Sequence, residues 1–154
     1  MIQLARILAA VDFSEHSDVV FQYASEFSRM FRAEVILCHV VEPADMISQL
    51  PPGGEGYFPP NLPQLQEQQA RKAFEQQVPK YAFAGTRVEI PVGSPFVEIV
   101  QLAREENVDL IVIGTHGRGA IAHALLGSVA ERVVRKAPCP VLTVRRGQHE
   151  FVMP

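Results

Sequence analysis

Three segments, Ile7 to Val11, Val35 to Val41 and Leu110 to Ile113, are nearly continuous apolar runs rich in β-branched residues and free of Asp, Glu, Lys and Arg. A strand with one wet face alternates apolar and polar side chains. An unbroken run needs cover on both faces, which points to a parallel sheet flanked by helices. Two further strand candidates, Thr86 to Val92 and Pro140 to Val144, carry Pro91 and Pro140. Proline cannot donate to a ladder, so these belong at the sheet edges.

Helical patterns separate the strands. Val20, Ala24, Phe27 and Phe31 recur at four- and three-residue intervals after Ser14, which predicts a helix over about residues 15–32 with Ser14 as N-cap. Ala70, Ala73, Phe74, Val78 and Tyr81 mark a second helix that Pro79 should kink or end. Ser94 followed by Pro95 opens a third, with Phe96, Ile99, Val100 and Ala103 on its face. Ala130, Val133, Val134 and Ala137 mark a fourth, stopped by Pro138.

Strands and helices thus alternate, which calls for parallel pairing through right-handed crossovers. With the proline-bearing third and fifth strands at the edges, the expected fold is a single doubly wound α/β domain. Its five-stranded parallel sheet has the order 3-2-1-4-5, with four helices. That order reverses between strands 1 and 4, and ligands bind such sheets beyond the carboxyl ends at the reversal. Asp12 ends strand 1 and Gly114 ends strand 4.

Residues 43–63 break the pattern, holding six of the twelve prolines together with Gly53, Gly54 and Gly56. Such a stretch is too long and too proline-rich for an ordinary connection. Because it also carries Met46, Ile47, Leu50, Tyr57 and Phe58, it stands either as a flap beside the crevice or as a locally packed excursion.

Composition narrows the function classes. The 154 residues are 47% hydrophobic and carry 17 acidic against 14 basic side chains, a formal charge of -3. This fits one soluble domain and argues against nonspecific nucleic-acid binding. Nothing approaches the roughly 20 apolar residues of a membrane span, and the N-terminus lacks the pattern of a signal peptide, so a cytoplasmic location is expected. Cys38 and Cys139 lie in apolar stretches and read as buried thiols; two cysteines make neither a disulfide framework nor a zinc site.

The chemistry concentrates in Gly114-Thr-His-Gly117 and the following residues to Gly127-Ser128. Gly114 ends a buried strand where a side chain would obstruct a ligand, and Gly117 can turn successive N–H groups toward one point. Gly127 and Ser128 open a helix whose first N–H groups form an anion site. His116 and Arg118 add donors. At about 1.5–3 kcal/mol per hydrogen bond to a charged oxygen, four or five such contacts account for much of the roughly 8 kcal/mol of micromolar binding.

Each residue also has a structural reading. Ser128 with Glu131 makes a capping box; Gly117 and Gly119 suit a surface turn; Asp12 can cap the first helix; His39 suits a satisfied core residue. Several sharper motifs are missing. There is no GxxxxGK[ST], no HExxH or other metal spacing, and Gly93-Ser94-Pro95-Phe96-Val97 fails GxSxG. No catalytic residue is assigned.

Gly114-xx-Gly117, nine residues, then Gly127-Ser128 resembles the GxxG(x9)G[ST] nucleotide motif of the universal stress protein family, in its ATP-binding branch. The likeness extends to Ile7-Leu-Ala-Ala-Val-Asp12, Ile36-Leu-Cys-His-Val40, Val108-Asp-Leu-Ile-Val-Ile-Gly-Thr-His-Gly117 and Ala137-Pro-Cys-Pro-Val-Leu-Thr-Val144. Ala10-Val11 stands where many relatives have proline or threonine.

The resemblance implies a Rossmann-like domain over residues 1–146, followed by a tail at 147–154. It implies that Asp12 contacts ribose hydroxyls and that Val40 holds adenine through its backbone. Gly114, Gly117, Gly127, Ser128 and Val129 would line ribose and phosphates, with Mg2+ or Mn2+ on the phosphates. It also implies a homodimer through the last strand, Val141 to Val144. An adenine-nucleotide-binding stress-response protein is the expectation. A weak, autophosphorylating ATPase and a nucleotide-free interaction module are the alternatives.

Overall fold

The computed structural model describes residues 2–43, 60–115 and 126–147. Five strands form one sheet: β1 (Arg6–Ala10), β2 (Glu34–Cys38), β3 (Gly85–Glu89), β4 (Leu110–Gly114) and β5 (Val141–Val144). All neighbours are parallel and the order is β3-β2-β1-β4-β5, as expected. Four helices are described: α1 (Ser17–Phe31), α2 (Leu62–Gln77), α3 (Pro95–Glu105) and α4 (Ser128–Lys136).

Strand periodicity divides the apolar runs between two cores. Ile7, Ala9, Val35, Leu37 and Val112 pack with Phe21 of α1 and Phe74 of α2 on one face. Leu8, Ala10, Ile36, Cys38, Ile111 and Ile113 pack with Ile99 of α3 and Ala130 and Val133 of α4 on the other. Every residue from Ile7 to Ala9 and from Val35 to Leu37 is fully buried. Large apolar side chains buried this way contribute about 1.5–3 kcal/mol each.

The prolines act as punctuation, with small shifts. α2 ends at Gln77 and passes into a 3-10 turn, Val78–Lys80, that contains Pro79. Ser94 is the N-cap of α3 with Pro95 in its first turn, although Ser94 makes no side-chain capping bond. Pro91 and Pro140 fall just outside their strands, and their carbonyls accept Val41 N–H at 2.9 Å and Ile111 N–H at 3.0 Å. A proline keeps this acceptor, so it can flank a ladder it cannot donate to.

Two expectations are corrected. α1 begins at Ser17 with His16 as N-cap, rather than after Ser14. A turn intervenes because Ser14 N–H and Ser17 Oγ–H both donate to Asp12 Oδ1, at 2.9 and 3.1 Å. Cys139 is half-buried rather than buried. It lies between Pro138 and Pro140, ahead of the edge strand, at the rim of the core that Ile111 and Val133 form. The proline-rich stretch between residues 43 and 63 lies largely outside the described residues, as does the tail from 148 onward.

Candidate functional site

Strand register places three strand tips in one row. Ala10 pairs with Cys38 of β2 and with Ile113 of β4. Two residues further along, Asp12, Val40 and Thr115 stand level. With strands about 4.8 Å apart, they span roughly 10 Å across the reversal of strand order.

At the first tip, Asp12 is half-buried and its carboxylate is held by the Ser14 and Ser17 bonds. It does not cap α1, whose N-cap is His16 with no side-chain bond; its carboxylate closes an Asx-type turn ahead of the helix instead. Phe13 follows in the left-handed region at φ 58. A bulky aromatic there is uncommon, and such conformations cluster at functional sites. It carries the chain away from β2 at the level of Val40.

At the second tip, His39 N–H donates to Glu89 O at 3.1 Å and Val41 N–H to Pro91 O at 2.9 Å. By strand alternation the Val40 N–H and C=O face the other way, toward β1, where the chain has just departed. Among the described residues, Val40 makes no backbone hydrogen bond there. His39 is half-buried and satisfied, its Nδ1 3.0 Å from Val11 O. A carbonyl only accepts, so Nδ1 carries the proton.

The third tip is a latch. Thr115 N–H donates to Val144 O at 2.7 Å, and Thr115 O accepts Gly127 N–H at 2.6 Å. One buried residue thus joins β4, β5 and the start of α4. Gly127 is the N-cap and its carbonyl accepts Glu131 N–H at 2.9 Å. The expected donor at Gly127 is therefore engaged within the protein. The α4 amides beginning at Ser128 and Val129 lack carbonyls four residues earlier in the helix, at the end of α4 that Gly127 ties to Thr115.

The capping-box expectation is also corrected. Ser128 is the first helical residue, one place past the N-cap, and no side-chain capping bond is made. Glu131 pairs instead with Arg135 at 2.8 Å. Ser128 is exposed, with its hydroxyl left out of any cap.

Cys38 lies beneath Val40, but its chemistry is closed. Burial, with lesser contributions from Glu89 and Glu98, pushes its thiol up to about 12. It stays protonated and is no nucleophile. Among the described residues, no group of three His, Cys, Asp or Glu side chains is placed to hold a metal ion.

The structure thus brings together Asp12, Val40, Gly114, Gly127, Ser128 and Val129. His116, Gly117 and Arg118 lie outside the described residues. Sequence reasoning missed Thr115 as latch and Phe13 as the turning point. Only main-chain conformation gives them these roles, and their side-chain types carry no signal of it.

Five parallel strands in this order, with helices packed on both faces, define the doubly wound α/β class of proteins. The chain belongs to the universal stress protein family, whose sequence model matches residues 4–145. It is 33% identical over 153 residues to Universal stress protein MJ0577 of Methanocaldococcus jannaschii, covering 92% of this chain and 94% of that protein. The solved MJ0577 structure superposes with a TM-score of 0.79 at 32% identity, covering 96% of this chain and 99% of that one. A universal stress protein in complex with cAMP matches at 26% identity and TM-score 0.65, over 94% and 98% of the two chains. The Archaeoglobus fulgidus universal stress protein in complex with dAMP matches at 25% and 0.61, over 94% and 100%.

Proposed function

We propose that this chain binds an adenine nucleotide, ATP foremost, at the carboxyl ends of β2, β1 and β4, and acts as a nucleotide-responsive stress protein. The observation that carries this is the open Val40 peptide. Adenine presents a donor, its 6-amino group, beside an acceptor, N1. The Val40 C=O and N–H match that pair. Guanine presents the opposite polarity at the same two positions, so the tip discriminates between the bases.

Asp12, level with Val40, accepts from ribose hydroxyls. The α4 amides at Ser128 and Val129 and the Ser128 hydroxyl receive the phosphates, with Gly114 leaving room for approach. Gly117, His116 and Arg118 complete the phosphate contacts in this scheme. Mg2+ or Mn2+ would be carried by the phosphate oxygens. Related proteins in complex with cAMP and dAMP support an adenine ligand.

We further assign the outer edge of β5 as a homodimer contact, because among the described residues Val141 to Val144 has a sheet neighbour only on its β4 side. A cytoplasmic setting suits the two free thiols. No described helix is long and apolar enough to cross a membrane.

Titration calorimetry with ATP and GTP tests the proposal. Binding of ATP with at least tenfold preference over GTP supports it. Equal affinities, or heat from neither, would refute it.

A further inference from the structure

The Ala10–Cys38 register dictates which backbone bonds should come next between β1 and β2. In a parallel ladder they are Val11 N–H to Cys38 O, then Val40 N–H to Val11 O, then Phe13 N–H to Val40 O. The first is made, at 2.9 Å. The second is not formed. Val11 O instead accepts from His39 Nδ1 at 3.0 Å. The third is lost because Phe13 turns away at φ 58.

We propose that His39 is a positioning residue: its imidazole ends the β1–β2 ladder one rung early and so holds the Val40 peptide open for a base. This role rests on the nucleotide-binding proposal above. The ring is well held for it. Phe13 lies 4.8 Å away between ring centroids, and Phe13 in turn meets the Phe74 ring edge-on at 4.8 Å. The His39 N–H is tied to Glu89 O, which fixes the backbone from which the ring projects. A buried carbonyl at a strand end needs a donor. With the imidazole supplying it, Val11 does not recruit Val40.

The substituted residue decides the outcome. Asn places its amide nitrogen the same number of bonds from Cβ as Nδ1, whereas Gln moves it one bond further and Leu offers no donor. The measurements are amide hydrogen exchange at Val40 in the ligand-free protein and the ATP and GTP affinities. In wild type and in His39→Asn, Val40 is expected to exchange at least about 100-fold faster than Val41. In His39→Leu, Val40 N–H should bond to Val11 O and become as protected as its neighbours. ATP affinity should then fall roughly tenfold, with the preference over GTP lost. His39→Gln should behave like His39→Leu.

A protected Val40 amide in wild type overturns the proposal. So does a His39→Leu protein that keeps both the open amide and the base preference. A wild-type protein that shows an open Val40 amide but no response to ATP overturns the assignment to a base, while the exchange pattern decides the ladder cap by itself.

Discussion

The carbonyl of Thr115 receives the amide of Gly127 at 2.6 Å, which joins the tip of β4 directly to the N-cap of α4. This bond sets the start of α4 against the tip of β4, whatever the intervening chain does. The same Thr115 donates its own amide to Val144, which ties the latch to the edge strand.

Gly127 separates the latch from ligand clearance. At φ -68 its backbone is ordinary for any residue, so Gly127→Ala should change unfolding free energy by less than about 0.5 kcal/mol, while its added methyl weakens nucleotide binding. Gly127→Pro fits the same φ but removes the N–H. It should cost about 1–3 kcal/mol by stranding the buried Thr115 carbonyl. Urea unfolding of both variants, with ATP titrations, checks this; an equally stable Gly127→Pro would rule out the latch.

Ser128 makes no cap, so Ser128→Ala should leave stability within about 0.5 kcal/mol of wild type and reduce ATP affinity about tenfold. Thermal melts with and without ATP read both quantities. A loss near 1 kcal/mol with unchanged affinity would restore the capping explanation.

Gln66 on α2 is buried, and neither end of its side-chain amide has a hydrogen-bond partner. An unsatisfied buried amide costs about 1–3 kcal/mol. Gln66→Met keeps the length and removes the polar atoms, so it should raise the urea midpoint. A lower midpoint would mean that the amide has a partner in solution.

The Cys38 thiol has a folded pKa of about 12 against 9.0 for an unperturbed thiol. A raised folded value gives stability that is fully present below pH 9.0 and declines as pH climbs toward 12, by at most a factor of ten in the unfolding equilibrium per unit. Cys38→Ala should therefore show a shallower alkaline loss of stability. Alkylation of the native protein should reach half-buried Cys139 first. Identical alkaline slopes would show that Cys38 ionises freely in the fold.

The bonds from Ile111 N–H to Pro140 O and from Thr115 N–H to Val144 O set the alternation along β5. Val141 and Thr143 consequently point their amides outward. Thr143→Pro removes an outward donor without touching the β4 ladder. Light scattering should show a dimer for wild type and a monomer for this variant; a dimeric variant would place the contact elsewhere.

The apolar runs at Ile7, Val35 and Leu110 and the prolines at 79, 91, 95 and 140 were sufficient for the element order, the sheet order and the place where that order reverses. Two-sided burial and the missing proline N–H are composition-level facts, so they survive without coordinates. Asp12 and Ser128 were legible as candidate site residues through spacing and family pattern, and Val40 through family pattern alone. What each does there was not. That Gly127 lends its amide to Thr115, that Ser128 sits one place beyond the cap, and that His39 takes the Val11 carbonyl all depend on which donor meets which acceptor across strands distant in sequence. Every peptide carries the same donor and acceptor, so the chain's chemistry leaves their pairing open, and only the register and the turn at Phe13 decide it.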